Sequence, residues 1–73
     1  SDDDALTQAR QLSEAVTSSL TEEQALQAEI GIYATAGLLS EALWLSDAAL
    51  ATRPQDSELL ALSQELERRA GLR

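Results

Sequence analysis

The stretch EIGIYATAGLLSEALWLSDAALATRP, residues 29–54, decides the fold. It sets Tyr33, Gly37, Ala42, Ala49 and Pro54 in a fixed order. Alanine and leucine, both strong helix formers, dominate on either side of Gly37. Glycine supplies the left-handed residue that commonly ends a helix. Proline disfavours helix at the residue before it, here Arg53. The segment therefore reads as two helices bent at Gly37 and stopped at Pro54. Small side chains at Ala42 and Ala49 let two helices approach closely, and Tyr33 supplies bulk opposite them.

Working outward, the spacing predicts four helices, at about 4–19, 22–36, 39–52 and 57–70. In the first, Ala5, Ala9, Leu12, Val16 and Leu20 form one apolar stripe. Asp2, Asp3 and Asp4 sit at its start, where the helix dipole favours negative charge. Thr21 is an N-cap for the second helix, and Gln24 completes the spacing of a capping box. That helix carries Ala25, Leu26, Ile30 and Tyr33 on its apolar face. In the third, Leu39, Ala42, Leu43, Ala49 and Leu50 face the hairpin and Leu45 reaches a flank. Asp56 or Ser57 caps the fourth, which is lined by Leu59, Leu62 and Leu66 and stopped at Gly71. No segment alternates with period two, so no strand is expected. Short connections favour antiparallel neighbours. The expected fold is all-α, four antiparallel helices in one small domain over 1–73, excised from a longer protein.

Composition limits the function classes. The net charge is −8, with thirteen acidic residues, five arginines and no lysine. Nucleic acid binding needs cations to neutralise phosphates, so neither nucleic acid nor an anionic membrane surface is an expected partner. The acidity serves solubility or attracts a basic partner. Cysteine and histidine are absent, which removes disulfides and ordinary zinc sites. No run of about 18 apolar residues or basic-then-apolar start reads as a membrane span or signal peptide. Without His, Cys or Lys, the usual catalytic bases and nucleophiles are missing, and no enzyme activity or cofactor is expected. Glu22 and Glu23 are explained by the first turn of their helix. The Asp2–Asp4 triplet lacks the spacing and glycine of an EF-hand, so it reads as a solvated helix start. No glycine-rich phosphate loop is present.

The order Tyr33, Gly37, Ala42, Ala49, Pro54 resembles a tetratricopeptide repeat. The resemblance covers about one repeat, from Glu23 to Asp56, with half-repeats on its flanks. Ala15 and Val16 lie 34 residues, one repeat length, before Ala49 and Leu50, and Leu12 lies as far before Ser46. Leu12–Ala15, Leu39–Ala42 and Leu45–Ala48 read LSEA, LSEA and LSDA. The chain departs from the family at Ile30, where a small residue is usual, and at Ser46, where a large aromatic is usual. An unrelated four-helix bundle with ordinary Gly and Pro turns is the other fold consistent with these residues.

The resemblance implies tetratricopeptide-like hairpins that bind other proteins without catalysis. The face that lines the family's groove carries Gln24, Gln27, Gly31, Ala34 and Thr35 here. It is neutral and lacks the cations that clamp a peptide carboxylate, so an apolar or helical segment is the expected occupant. A neighbouring helix filling the groove is the structural alternative. Trp44, Ala48 and Ala51 make a second apolar stripe on the third helix. Trp44 is either core or a self-association surface, through which copies would form a homodimer. Leu59, Leu60, Leu62, Leu66 and Leu72 offer another route. Gln64, Glu65, Glu67 and Arg68 give the last helix the polar outer face expected of an array ending at Arg73. A protein-docking module, an oligomerisation domain and a regulatory domain of a larger enzyme or sensor are the three readings that follow.

Overall fold

The computed structural model describes residues 2–72; Ser1, Arg73 and the side chain of Asp2 lie outside the described residues, as does the expected array end at Arg73. Four helices make up the described chain: α1 (Asp2–Thr17), α2 (Glu22–Thr35), α3 (Leu39–Thr52) and α4 (Ser57–Arg69). No strand occurs among the described residues. α1 packs on α2, α2 on α3 and α3 on α4. The result is a slab with Cα extents of 32 × 31 × 15 Å.

Local chemistry sets the ends. Thr21 Oγ1 accepts from the Gln24 amide and Gln24 Oε1 accepts from the Thr21 amide, closing the capping box of α2. Asp56 caps α4, its carboxylate accepting from the amides of Glu58 and Leu59 at 3.0 and 3.1 Å. Removing that cap with Asp56→Ala is expected to cost about 1 kcal/mol. Urea unfolding followed by circular dichroism measures it, and a loss near zero would show that water satisfies the α4 amides equally well.

α2 and α4 end alike. Gly37 and Gly71 both have φ of 81°, a left-handed conformation that side chains with a Cβ adopt at a cost. Leu38 donates its amide to Tyr33 O and Gly37 to Ala34 O, while Leu72 donates to Glu67 O and Gly71 to Arg68 O. Both are Schellman caps, set 34 residues apart. α1 stops at Thr17, two residues before the expected end. Thr17 and Ser18 hydroxyls donate back to the carbonyls of Ser13 and Ala15, an alternative to helix that Ser and Thr favour.

The core is thin. Its buried apolar members are Ala9, Ile30, Tyr33, Ala34, Ala42, Ala49, Leu59 and Leu66, with half-buried leucines around them. Ser46 is fully buried and donates to Leu43 O at 2.9 Å, which satisfies its hydroxyl within its own helix. No buried side-chain nitrogen or oxygen lacks a partner among the described residues.

The apolar stripe on α1 is only partly covered. Ala9 is buried, but Leu12 and Val16 are exposed. α1 instead turns Ala9 and Ser13 into the structure. Only α2 packs extensively on α1, so one helix cannot cover both edges of a stripe this wide.

Candidate functional site

A groove of about 570 Å³ lies between α1 and α2. This falls in the range of roughly 300–1,000 Å³ common to binding clefts. α1 contributes Ala5, Gln8, Ala9 and Leu12, and α2 contributes Ala28, Gly31, Ile32, Thr35 and Ala36. No lining residue is charged. The walls are mostly alanine, glycine and aliphatic carbon, so the groove recognises shape and apolar surface.

Of the expected groove residues, Gly31 and Thr35 line this space. Ala34 is 5% exposed and belongs to the core, so it presents no surface to a partner. Ala34 turns inward because it shares that side of α2 with Ile30, which is fully buried. Gln24 is exposed and its side chain completes the capping box. Gln27 is half-buried and its amide nitrogen donates to Glu58 Oε2 of α4 at 3.0 Å. That bond, with the Arg53–Glu23 ion pair at 3.4 Å, ties α2 to its later neighbours. Both pairs are largely exposed, so each contributes modestly.

Gly31 has no packing reason within the chain, because a Cβ placed there meets no atom within 4 Å. Glycine inside a helix costs about 1 kcal/mol relative to alanine. Gly31→Ala is therefore expected to raise stability by about 0.5–1 kcal/mol. Thermal and urea unfolding check this; a destabilised variant would mean the groove closes on Gly31 in solution.

The second surface is on α3. Trp44 is 71% exposed, which removes the core alternative for it, and Ala48 and Ala51 are exposed beside it. Ala42, Ser46 and Ala49 occupy the opposite, buried side. A tryptophan standing out of an alanine surface, with Asp47 also exposed nearby, is a projecting apolar knob.

A shallower depression joins Asp3 and Leu6 of α1 to the turn at Gly37–Leu39 and to Glu41. Among the described residues, no group of three His, Cys, Asp or Glu side chains is placed to hold a metal ion. No helix among them is long and apolar enough to cross a membrane. No family model, curated protein or solved structure matches the chain.

The groove walls on α1 and the residues Ala28, Ile32 and Ala36 escaped the sequence reading, which assigned the first helix's stripe no groove. The usable signal was the 34-residue offset pairing Leu12 with Ser46.

Proposed function

We propose that this chain is a non-enzymatic interaction module of tetratricopeptide-like hairpins that docks a protein partner in the groove between α1 and α2. The open, uncharged groove carries this reading. An apolar concavity between helices is where an amphipathic segment gains most from leaving water. Support for the repeat comes from Tyr33, Ala42 and Ala49, all buried at the spacing of the resemblance, and from the paired glycine caps. Short turns between packed neighbours favour antiparallel hairpins.

The test is selection of peptides from a random displayed library on the intact chain, followed by challenge with Thr35→Arg. Thr35 is exposed, so the variant folds and fills the groove with a guanidinium. Selected peptides are expected to lose about tenfold or more in affinity. Peptides indifferent to Thr35→Arg would sink the groove as the docking site.

A second reading is homo-oligomerisation through Trp44, Ala48 and Ala51, favoured by the exposure of Trp44. Tryptophan is enriched at interface hot spots, and two-fold dimers are the commonest assembly. Light scattering across a concentration range measures the mass. If copies join there, Trp44→Ala returns the chain to a monomer. In either case the variant should alter monomer stability by no more than about 0.5 kcal/mol, because the side chain is exposed.

A further inference from the structure

The two outer helices are held unequally. α1 buries Ala9 and Ser13, a methyl group and a hydroxymethyl group, with Leu6 half-buried near them. α4 also packs extensively on one neighbour, yet it buries Leu59 and Leu66. Large buried side chains supply most of the free energy that holds a helix in place, and α1 has no fully buried one. The polar ties divide in the same way. Gln27 of α2 donates to Glu58 of α4, and Glu23 of α2 pairs with Arg53 at the end of α3. The hydroxyls of Thr17 and Ser18, at the end of α1, donate to carbonyls of that same helix.

The contact between α1 and α2 is open as well. The groove runs between them, and a Cβ built on Gly31 in its wall would meet no atom within 4 Å. Leu12 and Val16, the large apolar groups in the second half of α1, face solvent. Ser18 and Ser19 form an exposed turn between the two helices, which leaves a free pivot.

We propose that α1 is a detachable helix, which opens from α2 and unwinds as one unit while α2, α3 and α4 stay packed. A lone helix of 16 residues is marginal in water, so release and unwinding go together. The part that stays folded keeps every buried apolar residue of the core except Ala9. Opening carries away Ala5, Gln8, Ala9 and Leu12, one wall of the groove, so the groove exists only in the closed form. The opening rests on packing alone and would survive the loss of the docking reading; its effect on docking rests on that reading.

Trypsin tests the opening on the intact chain. The chain has five arginines and no lysine. Arg53 precedes Pro54, a bond trypsin spares, and Arg68, Arg69 and Arg73 lie at the C-terminal end, so Arg10 is the cleavable site elsewhere. A cut after Arg10 needs α1 unwound, and its rate follows the open population when reclosing outpaces cleavage. Ala9→Gly, which weakens α1 and its one buried methyl contact, is expected to speed this cut about fivefold. Leu66→Val on α4 is expected to lower Tm by about 4–8 °C yet change the cut less than about twofold, because it weakens the closed and open forms alike. In hydrogen exchange, amides 12–17 should be at least about tenfold less protected than amides 30–34 and 59–66. A cut that speeds up about fivefold in Leu66→Val, or amides 12–17 protected as strongly as 30–34, would show that α1 leaves only when the whole chain unfolds. Fast exchange confined to residues 2–10 would reduce the opening to fraying of the helix end. Either result overturns the proposal.

Discussion

Replacing Ile30 with alanine is expected to destabilise the protein by about 2–5 kcal/mol, the usual cost of emptying a buried isoleucine site. Ile30 is 0% exposed and lies among Tyr33, Ala42, Leu59 and Leu66. Half of the buried apolar residues among those described are alanines, so the large side chains left to hold α2 against α3 and α4 are few. A domain of this size has a total stability of roughly 4–11 kcal/mol. One substitution thus removes a large share of it. Neighbouring helices can relax into the cavity only by losing their contact elsewhere in a slab this thin. Urea unfolding of both proteins at 25 °C, followed by circular dichroism, gives the difference. A loss below about 1 kcal/mol would mean that the helices collapse around the site and that Ile30 does not anchor the core.

Ala42→Leu tests the opposite limit. Ala42 is fully buried on α3 between its neighbours, where a methyl group fills the space. Extra carbons there must push helices apart or force strained rotamers, at a cost of about 1–3 kcal/mol. For a chain of this length each kcal/mol lowers Tm by about 4–8 °C. Ala48→Leu on the exposed side of the same helix is the control, expected to change stability by about 0.5 kcal/mol or less. If the two variants melt together, close helix approach at Ala42 is not what limits the packing.

Much of the architecture was legible because its signals are local. Thr21 with Gln24, Asp56, Gly37 and Pro54 act through backbone conformation and hydrogen bonds within a few residues. The third helix was placed at its observed ends, Leu39 and Thr52, because Gly37 and the Arg53–Pro54 step bracket it. The end of α1 was misplaced because Thr17 and Ser18 bond back to the helix, and composition alone does not choose between that and another turn. Of the residues expected to face a groove, Gly31 and Thr35 line the concavity beside α1 and Ala34 is buried. Adjacent positions on a helix differ by about 100°, so a small error in the facing direction carries a residue from a groove into the core.

The sequence by itself determined four helices, their caps, the acidic surface and the lack of the commonest catalytic groups, since these depend on residue type and short-range spacing. Only the tertiary structure decided which apolar stripes are covered. Leu12, Val16 and Trp44 all lie on apolar stripes, yet each is exposed. Burial of a helix face depends on whether another helix lies against it, and that neighbour is set by how all four helices stack, beyond the reach of any one helix's periodicity.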